Sequence, residues 1–263
     1  MKTTEQDSRY DSLEKMGTEE LLLGMNAEDR GVPEAVAAAI PAIGRMVDGI
    51  VERGGRVIYA GAGTSGRLGI VDASEIPPTF GVKGKFEGII AGGDGAIRNA
   101  VEGAEDSLEA GVAAIASLNI GKADAVIGIS ASGGAPYVIG AIREARRRGA
   151  LTGCICCNSD AALALEADVP MIAVTGPEFV TGSTRLKAGT ATKLILNMIS
   201  TATMIRLGHV KGNKMVDMQL TNKKLVDRGT RMIVRQTGLP YDEARELLLR
   251  HGSVREALNA CKL

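Results

Sequence analysis

The sequence predicts an α/β fold built on a five-stranded, mostly parallel sheet with helical additions at both ends. Short apolar runs near residues 56–60, 86–91, 124–130, 151–157 and 169–174 alternate with helical segments, and many of the 34 glycines fall where runs give way to helices. Strands alternating with helices read as βαβ units, whose parallel sheet is covered on both faces. A chain of 263 residues with 45% hydrophobic content can bury a sizeable core, as one α/β domain with helical extensions.

The elements follow in order. Val36, Ile40, Ile43, Val47 and Ile50 recur at spacings of four and three, marking an amphipathic helix that stops at Gly54 and Gly55. Arg56 to Ala60, RVIYA, reads as the first buried strand. A long helix from about Arg185 to Leu207 is apolar on more than one side and should pack centrally. Beyond it lie a polar helical stretch from about Val216 to Gln236 and a two-helix tail from Tyr241 to Ala260.

Composition excludes several partners. Lys+Arg and Asp+Glu both total 31, a net charge of +0, so nothing favours nucleic acid, and no basic run would hold an anionic membrane. No stretch reaches about 18 uninterrupted apolar residues, and the start of the chain lacks a signal-type apolar core. A cytoplasmic protein is expected. Cys154, Cys156 and Cys157 crowd one strand without the spacing of a zinc knuckle, which reads as buried thiols and no metal site.

The densest motif is Gly61 to Phe80, GAGTSGRLGIVDASEIPPTF. A helix beginning near Thr64 or Ser65 would aim its free N–H groups at whatever fills the loop, and both those donors and the helix dipole favour an anion. Gly61, Gly63 and Gly66 allow close backbone approach, while Thr64 and Ser65 add hydroxyls. The same glycines match the dinucleotide pattern G-x-G-x-x-G, with Asp94 as a ribose partner. A second loop argues for another ligand: Ser130, Ala131, Ser132, Gly133 and Gly134 follow the strand AVIGI and precede a helix from Pro136 to Arg148. Two hydroxyl loops at the C-terminal ends of parallel strands suit a smaller polyhydroxylated anion, such as a sugar phosphate. A third polar segment, GPEFVTGSTRLKAGT, offers Ser183 and Thr184 as caps or ligands, with Arg185, Lys187 and Glu178 nearby.

Two carboxylates fit acid and base chemistry. Glu75 stands where Pro77 should stop the helix, at the negative end of its dipole, a setting for a general acid as well as for an ordinary surface glutamate. Glu105 falls at the margin of a stripe made by Ile97, Val101, Leu108, Val112 and Ile115, where partial burial suits a general base; a glutamate bonded to loop donors is the alternative. His209 and His251 lack partners with metal or triad spacing.

These motifs, together with MNAEDRGVPEAV, IAGGDGAIRNAVEGAED, VIGISASGGAPYVIGA and GNKMVDMQLTNKKLVDR, resemble the N-acetylmuramic acid 6-phosphate etherase family of the sugar isomerase (SIS) superfamily nearly end to end. The resemblance implies a three-layer α/β/α sandwich, a homodimer, no metal or organic cofactor, and cleavage of a lactyl ether on a 6-phosphorylated amino sugar. It also implies Glu75 as the acid and Glu105 as the base, with Ser65, Ser130, Ser132, Ser183 and Thr184 on phosphate and sugar oxygens. The expected organisation is a helical segment over 1–54, an SIS core over 55–215 and a helical tail over 216–263. Gly134 and Ala135 stand where the family often carries bulkier residues, and Ile76 replaces a common cysteine. A non-catalytic sugar-phosphate regulator and an aldose–ketose isomerase are the competing classes; the isomerase needs no acid for a C3 leaving group.

Overall fold

The structure, a computed structural model, describes residues 3–261. The chain falls into two compact units: one runs to Ala73 and resumes over Phe86–Ser200, and the other joins Ser74–Lys85 to the residues from Thr201 onward.

The first unit opens with 3-10 turns at Thr3–Glu5 and Leu13–Lys15, followed by helices α1 (Thr18–Asp29), α2 (Val32–Ala37) and α3 (Ile40–Arg53). The one amphipathic helix expected around Val36–Ile50 is therefore two pieces. Pro41 sits in the first turn of α3, where it has no N–H to offer Ala37 and its ring crowds that carbonyl. From there α3 buries Ile43, Met46, Val47 and Ile50 and ends at Gly54, which adopts φ 75°.

The sheet comprises β1 (Val57–Gly61), β2 (Phe86–Ile90), β3 (Ala125–Ile129), β4 (Leu151–Cys156) and β5 (Val169–Ile172) in the order β2-β1-β3-β4-β5. Every neighbouring pair is parallel. β1 and β3 are buried at each residue, as near-continuous apolar sequences covered on both faces must be. The chain leaves β1 toward β2 on one side, then crosses to β3 on the other. The topological switch thus lies between β1 and β3, where open α/β sheets form a crevice beyond their strand ends.

Helices α4 (Gly63–Ser74), α5 (Ile76–Phe80), α6 (Gly95–Arg98), α7 (Leu108–Ser117), α8 (Pro136–Arg147), α9 (Ala162–Glu166) and α10 (Lys187–Arg206) complete the connections. α7 and α8 meet almost backbone to backbone: a Cβ on Gly111 would collide with the Tyr137 carbonyl oxygen, and one on Gly140 with that of Leu108. On the sheet, Val138 and Ile142 of α8 join Ile58, Val126 and Cys154 in one buried cluster. Cys154, Cys156 and Cys157 are all buried, and burial beside Glu178 pushes the Cys157 thiol up to about 12.

The second unit holds α5, the hairpin β6 (Val210–Lys211) and β7 (Lys214–Met215), and helices α11 (Lys223–Thr237), α12 (Tyr241–His251) and α13 (Val254–Ala260). It has its own core of Val216, Met218, Met232, Ile233, Leu248, Val254 and Leu258. The helix expected from Val216 begins instead at Lys223. Asn222 caps it, accepting from the Leu225 N–H at 3.0 Å, while Val216 and Met218 are buried in the irregular chain before it. Asp217, between them, accepts from Arg255 Nε at 2.7 Å and Nη2 at 2.6 Å and faces His209 Nδ1 at 2.8 Å. The Gln219 N–H reaches the Pro78 carbonyl at 3.3 Å, fastening the α5 segment within this unit. Among the described residues no helix is long and apolar enough to cross a membrane.

Candidate active site

A cavity of about 340 Å³ opens in the first unit at the β1/β3 switch. The turn from β1 into α4 supplies Ala62, Gly63, Thr64 and Ser65, and the loop after β3 supplies Ser130, Ala131, Ser132 and Ala135. Glu105, Glu5, Gly182, Thr184, Gly189 and Thr192 also face it. The turn is tight because Gly61 lies against the helix start: a Cβ there would stand 2.6 Å from the Gly66 nitrogen. Gly63 takes φ 51°, a left-handed geometry that a side chain would strain. The first-turn N–H groups of α4 have no intrahelical acceptor, so this wall presents donors and the positive end of a dipole.

The opposite wall is hydroxyl-rich. Ser130 Oγ accepts from the Gly133 N–H at 3.1 Å and Ser132 Oγ from that of Gly134 at 3.3 Å, which leaves both O–H groups to donate. Ser130 is buried and the Ser132 loop is held by Asn158, whose Nδ2 donates to the Ala131 carbonyl at 3.2 Å. Together these groups form a concave, donor-lined cradle suited to an anion bearing hydroxyls.

Of the residues proposed from sequence, Gly63, Thr64, Ser65, Ser130, Ser132, Thr184 and Glu105 line this cavity, and the rest stand elsewhere. Gly66 is buried behind it, where a Cβ would meet Ile90 Cγ1 at 2.6 Å. Gly133 turns the second loop with φ 68°, against Ala161. Ser183 closes a turn through its N–H to the Val180 carbonyl. Glu178 is buried and caps α10, accepting from the N–H groups of Lys187 at 2.9 Å and Ala188 at 3.0 Å. Burial pushes its carboxyl up, and those two N–H groups offset only part of the rise. Lys187, expected near a bound anion, is buried and paired with Glu28.

Glu105 is not on the edge of a helical stripe. α6 stops at Asn99, which is extended at φ −122°; Gly103 turns left-handed at φ 72°; Ala104–Asp106 form a 3-10 turn; and Ser107 starts α7 by accepting from the Ala110 N–H. Glu105 is exposed on that turn and faces the cavity. Arg67 of α4 steadies the approach, donating to the carbonyls of Ile97 at 2.8 Å and Ala96 at 2.7 Å.

Glu75 follows the far end of α4. It is not among the residues that line the cavity, and it belongs to the second unit. Pro77 does not end helical structure there. The chain restarts at once as α5, with Pro77 in its first turn, where a missing N–H costs nothing, and Glu75 as the exposed residue before it.

Sequence reasoning missed Glu5, Gly189 and Thr192. The last two were within reach: Gly189 and Thr192 lie three apart on one face of α10, downstream of the Thr184 loop. Nothing local marks Glu5.

Comparison with known proteins fits this geometry. Residues 40–146 match the N-terminal SIS domain of glucokinase regulatory protein, residues 108–202 the SIS domain, and residues 212–260 the C-terminal lid domain of glucokinase regulatory protein. An N-acetylmuramic acid 6-phosphate etherase of Porphyromonas gingivalis is 60% identical over 99% of this chain and 97% of its own length. The chain belongs to the N-acetylmuramic acid 6-phosphate etherase family. The etherase of Bacteroides fragilis is 57% identical over 100% of this chain and 95% of its own. Among solved structures, a phosphoheptose isomerase of Francisella tularensis shares the fold at lower identity, with a TM-score of 0.51 at 20% identity, covering 71% of this chain and 100% of that one.

Proposed function

We propose that this member of the etherase family is a carbon–oxygen lyase that cleaves the lactyl ether of N-acetylmuramic acid 6-phosphate, giving N-acetylglucosamine 6-phosphate and D-lactate in recycling of cell-wall sugars. The observation that carries the reading is Glu105 facing a hydroxyl-lined cavity at a helix N-terminus, in a chain 60% identical to a named etherase. The α4 N-terminus, Thr64, Ser65, Ser130 and Ser132 hold the phosphate and neighbouring oxygens, with Thr184 beside them. In the ring-opened aldehyde the C2 proton is α to a carbonyl, and Glu105 removes it. The C3–O bond then breaks, and the departing lactate oxygen takes a proton from Glu75. Water adds to the unsaturated aldehyde with the two roles reversed. No step calls for a metal or organic cofactor.

Glu75 is not among the residues that line the cavity of its own chain. We infer that the acid serving a cavity comes from a second copy, which would make a homodimer part of the mechanism. A cytoplasmic setting and the organisation into 1–54, an SIS core over 55–215 and a tail over 216–263 belong to the same proposal.

The test is release of D-lactate from N-acetylmuramic acid 6-phosphate by the purified protein. Release by wild type and its loss in Glu105→Gln support the lyase. Tight sugar-phosphate binding without lactate would mean a regulator, and aldose–ketose conversion with a dispensable Glu75 would mean an isomerase.

A further inference from the structure

Glu5 lies far in sequence from every motif that forms the cavity, yet it faces that cavity together with Ser130, Ser132, Gly182 and Thr184. Its position is fixed from both sides. Thr4 is fully buried; its N–H donates to Asn158 Oδ1 at 3.2 Å, and Asn158 Nδ2 returns a bond to Thr4 Oγ1 at 2.9 Å. Thr3 Oγ1 donates to Asn158 Oδ1 at 2.8 Å. Asn158 is itself fully buried and also bonds the Ala131 carbonyl, so one side chain sets both the Glu5 turn and the second hydroxyl loop. Beyond Glu5, the Ser8 N–H meets Thr181 Oγ1 at 2.9 Å and Ser8 Oγ donates to the Phe179 carbonyl at 2.7 Å. The Glu5 carboxyl stands close to Gly182, its Oε2 3.9 Å from where a Cβ on that glycine would be. Among the described residues it has neither a hydrogen bond nor an ion pair.

We propose that Glu5 is a sugar-binding and specificity residue: its carboxylate accepts a hydrogen bond from an O–H or N–H donor of the sugar and leaves the phosphate to the N–H and hydroxyl donors of the cavity. A carboxylate offers only acceptors, and it repels a phosphate while attracting sugar donors. The α4 N-terminus has the reverse character. The acceptor and the donors together orient a ligand that is anionic at one end and hydroxylated at the other. A smaller polar residue at position 5 would leave the phosphate site intact but lose this alignment.

The proposal rests on the sugar-phosphate reading of the cavity, and calorimetry separates the two. Wild type, Glu5→Ala and Glu5→Gln are titrated with N-acetylglucosamine 6-phosphate and with inorganic phosphate, and thermal midpoints are recorded. A hydrogen bond to a charged group predicts that Glu5→Ala weakens sugar-phosphate binding about 10-fold or more, with Glu5→Gln between it and wild type. Inorganic phosphate should bind as well as before or more tightly, and the midpoints should stay put. Equal weakening toward both ligands, or a lowered midpoint that accounts for the loss, would make Glu5 structural and overturn the proposal. Unchanged sugar-phosphate binding in Glu5→Ala would overturn it too, while leaving the cavity reading standing. A wild type that binds neither ligand would remove the cavity reading itself.

Discussion

Glu105 and Glu75 begin from the same chemistry and end in different surroundings. Glu105 projects from a 3-10 turn into a formed cavity, beside the hydroxyls and N–H groups that would hold its substrate. Glu75 stands where α4 gives way to α5 and does not line that cavity. Under the proposed mechanism the base belongs to the chain whose cavity it faces, whereas the acid is the carboxylate that does not line that cavity. The lesson is that α4 brings its N-terminus to the cavity while the carboxylate that follows its C-terminus stays out of the lining, and the proposed mechanism joins the two only if the site is shared between chains.

The largest expected effect comes from Glu105→Gln, which should lower lactate release by about 10²- to 10⁴-fold. Its thermal midpoint should not move, because Glu105 is exposed and makes no packing contribution. Glu75→Gln should cost about 10²-fold or more in the same assay, also without loss of stability. A Glu75 variant with normal turnover would break the comparison by removing one of its halves. Ser65→Ala should act mainly on binding, raising KM about 10-fold through loss of a hydrogen bond to a charged oxygen, with a smaller change in kcat.

Smaller effects sharpen the contrast between ligand-facing and structural carboxylates. Glu178→Ala leaves two buried N–H groups at the start of α10 without their acceptor and should destabilise the protein by about 2 kcal/mol in denaturant unfolding. Its substrate affinity should change little, since Glu178 does not face the cavity; a large KM effect with no loss of stability would make it a ligand instead.

Asp217 gives the mildest signal, a pH dependence. Burial raises its carboxyl, but Arg255 and His209 outweigh that and hold it below the usual carboxylate range. A folded-state pKa below the unfolded value stabilises fully above the unfolded value, near 3.8, and the gain disappears as pH falls through the lowered one. Unfolding midpoints should therefore drop in that acid window in wild type, and Asp217→Asn should flatten the drop.

Much of this molecule was legible in its sequence because local signals agree with tertiary ones. The five strands, the Gly61–Ser65 turn, the Ser130–Ser132 loop and the long α10 rest on apolar runs, glycine placement and capping hydroxyls, each a short-range property. The break between Asn99 and Gly103 was not legible: a periodic stripe from Ile97 to Ile115 satisfies helical spacing whether or not the chain turns extended at Asn99 and left-handed at Gly103. Glu178 looked like a ligand because its neighbours are polar, yet its oxygens bond residues 9 and 10 positions later, a pairing no local pattern encodes. Glu5 escaped because only the long-range clamp to Asn158 brings it to the cavity.

The most direct measurement pairs two inactive variants. Glu75→Gln and Glu105→Gln chains carrying different tags are co-expressed, the mixed dimers isolated, and D-lactate release compared with each homodimer. If the acid crosses between copies, a mixed dimer holds one intact site beside one doubly altered site and should recover about half of wild-type activity. If both carboxylates act within one chain, each site of the mixed dimer lacks a group, and the absence of recovery would contradict the shared site.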